Sequence, residues 1–188
     1  MKARRKRLEK YCNSVNCDTL VTFEPENLFY LTGFWGEAVG ILEKGGQTTI
    51  IAPELEAGRA KDESINCDVI TSQRGGLIST LASLKKKKIC VDCHNYSVMQ
   101  SLKKSIPRLK RSSEPFYNAR IIKDSDEVHI LKKASSIIDQ MFELCTQTIK
   151  KGRSESDLQA ILMSFAIAND MHDTGYRSTL NPLIIAGG

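Results

Sequence analysis

No stretch of this 188-residue chain approaches the roughly 18 consecutive apolar residues that a bilayer-spanning helix needs. The basic start, MKARRKRLEK, is not followed by an apolar segment, so it does not read as a secretory signal. A cytoplasmic setting without membrane contact is therefore the expectation, and the six cysteines are expected to be reduced thiols. The chain also lacks G-x-S-x-G, P-loop and H-E-x-x-H motifs, which removes the usual signatures of serine hydrolases, P-loop NTPases and zincins. The glycine pairs 45–46 and 75–76 do not have the spacing of a dinucleotide fingerprint. Neither an internal repeat nor a low-complexity tract is present.

What is there is ordinary for a globular protein. The composition is 41% hydrophobic and 26% charged, which excludes a mostly disordered chain. The net charge is +5, and six basic residues fall in the first ten positions. Arg4, Lys6, Arg7 and Lys10 read as the solvated side of a first helix, with Leu8, Tyr11 and Cys12 on the other side. Nucleic-acid contact is not expected from this cluster.

Helix and strand signals alternate through the first 118 residues. Helices are predicted at 3–14, 25–32, 53–63, 77–84 and 96–104, and strands at 18–23, 38–43, 48–52, 67–70 and 88–91. Pro25 suits a first helical turn and Gly33 a C-cap. Lys44-Gly45-Gly46-Gln47 joins two strands as a hairpin, so the sheet is mixed and the fold class α/β. After Phe116-Tyr117 the pattern turns helical. Asp124 with Glu127 begins one long helix with apolar positions at 128, 131, 134, 138, 141, 142, 145 and 149. Ser154 caps a second helix, and Leu183-Ile184-Ile185-Ala186 reads as a strand running into Gly187-Gly188.

Candidate chemistry is sparse. Cys90-Val-Asp-Cys93-His94 has the C-x-x-C-H pattern of haem attachment, and with Cys12 and Cys17 it has the makings of a zinc site. Packing explains these cysteines better, because Cys12 sits on the apolar helix face and Cys90 inside a strand. Asp170, His172 and Asp173 form a short carboxylate–imidazole group, which reads first as a turn after a helix. His129 reads as an ordinary helix residue.

Four stretches in order carry a family resemblance. They are Pro25-Glu-Asn-Leu-Phe-Tyr-Leu-Thr-Gly-Phe34, Ile50-Ile-Ala-Pro-Glu-Leu-Glu56, Arg120-Ile-Ile-Lys123 with Glu127, Leu131 and Ala134, and Asn181-Pro-Leu-Ile-Ile-Ala-Gly-Gly188. Together they resemble the creatinase/prolidase family of metallopeptidases, of the Xaa-Pro dipeptidase or aminopeptidase P type. The resemblance implies a creatinase-like N-terminal domain over 1–118, a mixed sheet with flanking helices. It implies that 119–188 begin an α+β pita-bread catalytic domain that is incomplete here. The complete protein is expected to hydrolyse the peptide bond before proline with two divalent ions (Mn, Co or Zn) and to form a homodimer. The family's metal ligands lie downstream of the strand matched by Ile184–Gly188. No catalytic or metal residue is therefore carried over, and this chain alone is expected to be inactive. The alternative is a non-catalytic pseudo-peptidase module for binding or oligomerisation. The resemblance also marks Phe34 and Trp35 as candidates for a substrate cleft or a dimer loop, whereas the bare sequence reads Trp35 as a packing or loop aromatic.

Overall fold

The computed structural model describes residues 1–85, 88–106 and 108–171. The chain divides into two compact units, Met1–Ile122 and Lys123–Gly188.

The first unit is built on a six-stranded mixed sheet in the order β4-β3-β2-β1-β5-β6. The strands are β1 (Thr19–Thr22), β2 (Val39–Glu43), β3 (Thr48–Pro53), β4 (Asp68–Ser72), β5 (Ile89–Val91) and β6 (Lys110–Arg111). β2 pairs antiparallel with β1 and with β3, while the β1–β5, β3–β4 and β5–β6 pairs are parallel. Six helices belong to this unit: α1 (Lys2–Ser14), α2 (Pro25–Thr32), α3 (Glu54–Glu63), α4 (Leu77–Ser83), α5 (Tyr96–Ser105) and α6 (Glu114–Ile121).

Register explains the two-sided core. Leu20 stands opposite Leu42 on one side and Cys90 on the other, so these three share a face. They pack with Leu8 and Cys12 of α1, Tyr30 and Leu31 of α2, and Phe116 and Ala119 of α6. Val21, Ile41 and Val91 point the other way, into a cluster with Leu81 of α4 and Met99 and Leu102 of α5. A third cluster joins Leu28, Phe34 and Ile50 to Ala57 and Ala60 of α3. With helices on both faces, the inner strands are buried throughout.

α2 begins with Pro25 in its first turn and ends at Gly33 in the left-handed region (φ 81°). The β2–β3 hairpin turns through Gly45 and Gly46, both at positive φ. α6 and β6 do not appear in the sequence reading. β6 is two exposed basic residues with no apolar alternation, and α6 buries Phe116 and Ala119, one turn apart. The expected domain boundary between residues 118 and 119 falls inside α6, which packs on α1 within the first unit.

In the second unit, α7 (Ser125–Thr148) and α8 (Glu155–Ala168) are both opened by capping boxes. The Asp124 side chain accepts from the Glu127 N–H while Glu127 Oε2 accepts from the Asp124 N–H, both at 2.9 Å. Ile137, Met141, Leu158, Leu162 and Ala166 form the core between the two helices. Most of the stripe predicted for α7 stays outside it: Val128, Leu131, Ile138, Phe142 and Ile149 are exposed. Ile137, which the stripe left out, is buried instead. The strand predicted at Leu183–Ala186 lies outside the described residues.

Candidate functional site

The Phe34–Trp35 loop starts from the cap of α2. Thr32 Oγ1 donates to Leu28 O (2.7 Å) and accepts from the Phe34 N–H (3.1 Å), which holds the chain as it leaves the helix through Gly33. Phe34 is fully buried in the cluster with Leu28 and Ile50. Trp35 is half-buried and meets Phe29 edge to face, with ring centroids 6.0 Å apart and planes at 71°. Phe29 is 45% exposed, so the aromatic pair reaches the surface. Arg59 braces the loop from α3. Its Nη2 donates to Trp35 O (3.2 Å), and its guanidinium lies 5.6 Å from the centre of the Phe34 ring. Glu56 and Glu63 hold Arg59 in ion pairs at 3.0 Å. The structure therefore separates the two sequence candidates: Phe34 anchors the loop from within the core, and Trp35 stays partly exposed beside Phe29.

The cysteines converge, but as a packed group. Cys12, Cys17 and Cys90 lie in one apolar cluster, and Cys12 Sγ donates to Cys17 O at 3.1 Å. Burial pushes the Cys12 and Cys90 thiols up to about 12, with neighbouring thiols adding to the effect. Burial also raises Cys17 and Cys93. Metal ligation requires thiolates, and these positions favour the protonated form. His94 is exposed. Among the described residues, no three His, Cys, Asp or Glu side chains are placed to hold a metal ion. The described residues thus do not fit the two-ion centre that the family resemblance implies. His172 and Asp173 lie outside the described residues, and Asp170 sits past the end of α8 with its carboxylate 3.9 Å from Lys133 Nζ.

Sequence reasoning missed a polar network at the carboxyl ends of β1 and β5. Asp92 directly follows β5 and is 1% exposed. Its Oδ2 accepts from Thr22 Oγ1 (2.6 Å) and Asn27 Nδ2 (2.8 Å), and its Oδ1 accepts from the Phe23 N–H (2.9 Å). Arg120 Nη1 donates to Asn27 Oδ1 (2.9 Å), which extends the network to the end of α6. Glu24 Oε1 accepts from the His94 N–H (3.2 Å). Burial pushes the Asp92 carboxyl up to about 6, against the opposing pull of its three hydrogen bonds. A signal was available in C-V-D-C-H: an aspartate directly after a strand of a parallel pair.

Comparison with known proteins places this arrangement. Residues 4–122 match the family model described as Creatinase/Prolidase N-terminal domain. A Xaa-Pro dipeptidase of Pyrococcus furiosus is 26% identical over 163 residues, covering 85% of this chain and 47% of the relative. One of Pyrococcus horikoshii is 27% identical, covering 96% of this chain and 54% of the relative. The solved Xaa-Pro dipeptidase from Bacillus anthracis superposes with a TM-score of 0.78 at 22% identity, over 89% of this chain and 49% of that one. The chain spans about half the length of the curated relatives it matches. The sheet, its flanking helices and the family match over residues 4–122 agree, and the chain belongs to the creatinase/prolidase family through its N-terminal domain.

Proposed function

We propose that this polypeptide is the N-terminal part of a metal-dependent Xaa-Pro peptidase. The first domain shapes and caps the substrate cleft, and the α7–α8 hairpin opens the catalytic domain. The observation that carries this reading is the reach of the similarity. The match to the Pyrococcus horikoshii dipeptidase covers 96% of the chain, so it extends beyond the N-terminal family domain into the second unit. The substrate class is a small peptide with proline after the scissile bond, and the working form is a cytoplasmic homodimer. In that dimer Trp35, braced from below by Arg59, presents an aromatic wall toward a neighbouring subunit's cleft.

Hydrolysis by two divalent ions (Mn, Co or Zn) belongs to the complete family architecture. The described residues offer no cluster that would hold those ions, so no catalytic step is assigned to them. We propose accordingly that Met1–Gly188 alone does not turn over substrate. Purified 1–188, supplied with Mn, Co or Zn salts and an Xaa-Pro dipeptide, is expected to release no free proline, and clear turnover overturns the inactivity claim. The message beyond codon 188 tests the wider reading. Two aspartates, a histidine and two glutamates at ligand positions support the peptidase. An open reading frame that lacks them points instead to a non-catalytic binding or oligomerisation module.

A further inference from the structure

We propose that the cleft outside the carboxyl ends of β5 and β6 is a binding site for a small zwitterion of the α-amino-acid class. β5 and β6 are parallel neighbours whose carboxyl ends lead into α5 and α6 respectively, and the crevice lies outside those two strand ends. Ligands of open α/β sheets bind in the crevice outside the carboxyl ends of parallel strands. In this chain the crevice has a volume of about 440 Å³, within the range of small-molecule sites. Its wall runs from Asp92 and His94 to Arg111, Ser113, Glu114 and Tyr117.

Charge selects the ligand. Arg111 Nε donates to Cys93 O at 3.1 Å, which fixes the guanidinium at the rim. Its two terminal nitrogens make no hydrogen bond or ion pair with any described residue. Glu114, at the first position of α6, lines the same cleft and likewise forms no ion pair with a described residue. Two opposite charges on one concave wall, held without pairing to each other, complement a molecule that carries both signs. The ligand carboxylate would take the paired donors of Arg111 together with the Ser113 hydroxyl. The ligand ammonium would face Glu114, with the buried Asp92 carboxylate beneath it adding negative potential. Tyr117, 69% exposed, supplies an aromatic edge for the ligand's side chain. A simple anion is disfavoured by Glu114 and Asp92, and a simple cation by Arg111.

This inference does not rest on the peptidase reading. The experiment is amide NMR of the full 188-residue chain titrated with L-proline and L-leucine. Saturable shifts confined to 92–95 and 111–117 are expected. The corresponding amino-acid amide lacks the carboxylate and the N-acetyl amino acid lacks the ammonium; each is expected to bind about tenfold or more weakly, as loss of a charge-assisted hydrogen bond implies. Arg111→Met and Glu114→Gln should each weaken L-proline by a similar factor. Glu114 is exposed and its side chain pairs with no described residue, so Glu114→Gln should melt at the wild-type temperature, whereas Arg111→Met also loses the bond to Cys93 O and should melt slightly lower. The proposal is overturned by the absence of saturable shifts at millimolar ligand, by shifts centred elsewhere, or by equal binding of inorganic phosphate and amino acid.

Discussion

Replacing Asp92 with asparagine tests whether the network at the ends of β1 and β5 carries a titrating burden. The folded carboxyl sits at about 6, against 3.8 for an unperturbed aspartate. Its proton is therefore held more tightly in the folded chain than in the unfolded one. The associated stabilisation is complete below the unfolded value and is lost as pH rises through about 6. The gap corresponds to about 3 kcal/mol over the whole titration, of which about 2 kcal/mol is lost between pH 4.5 and pH 7.5. An asparagine cannot titrate, so its stability should be level across that window in comparison. It also turns an amide donor toward Thr22 Oγ1 and Asn27 Nδ2. Thr22 can turn its hydroxyl to Glu24 O, 3.2 Å away, but the Asn27 donor is left facing another donor. That conflict costs about 1–3 kcal/mol at every pH. D92N should therefore be clearly weaker than wild type near pH 4.5 and close to it near pH 7.5. Urea denaturation followed by the fluorescence of Trp35, the single tryptophan, reports the first unit specifically. Asp157, whose carboxyl is lowered by its capping bonds to Ser154, lies in the second unit and does not enter that signal. A wild-type minus D92N difference that stays constant or grows from pH 4.5 to 7.5 refutes the reasoning.

Three other outcomes follow from the packing. Tyr30→Phe removes the buried hydroxyl that donates to Ala119 O at 2.9 Å, tying α2 to α6; the denaturation midpoint should fall by the equivalent of about 1–3 kcal/mol. Gly40→Ala would place a Cβ 2.9 Å from both Leu28 Cδ1 and Thr22 Cγ2, where the sheet and α2 already touch, so a loss of about 1–3 kcal/mol is expected in the same assay. A thiol reagent added to the native chain should label Cys67 and Cys145, which are partly exposed, well before Cys12 and Cys90; peptide mapping that finds the latter pair modified first contradicts their burial.

The elements legible in the sequence were those marked by local chemistry. Pro25 and Gly33 bracketed α2, the 45–46 glycine pair announced the hairpin, and Asp124 with Glu127 opened α7. What stayed hidden depended on partners distant in the chain. β6 is Lys110–Arg111, a strand only because β5 lies beside it. The α7 stripe is a correct helical period, yet it named apolar residues that the α7–α8 core leaves exposed. Among site residues, Trp35 was visible as the lone tryptophan, but the burial of Phe34 beside it was not. Asp92 was overlooked because the cysteines and histidine around it drew the motif reading, while its donors Thr22 and Asn27 lie some seventy residues earlier.

The seating of α1 against α6 has a consequence during translation. α1 leaves the ribosome before α6, and it cannot find this neighbour until the residues around Phe116 and Ala119 have been made. From Ser14 to Ala119, at about 5–20 residues per second, that is a delay of roughly 5–21 s. Over this interval the apolar side of α1, with Leu8 and Cys12, is without the cover of α6. Ribosome-bound nascent chains stalled shortly before and shortly after α6 emerges should accordingly differ sharply in protease resistance.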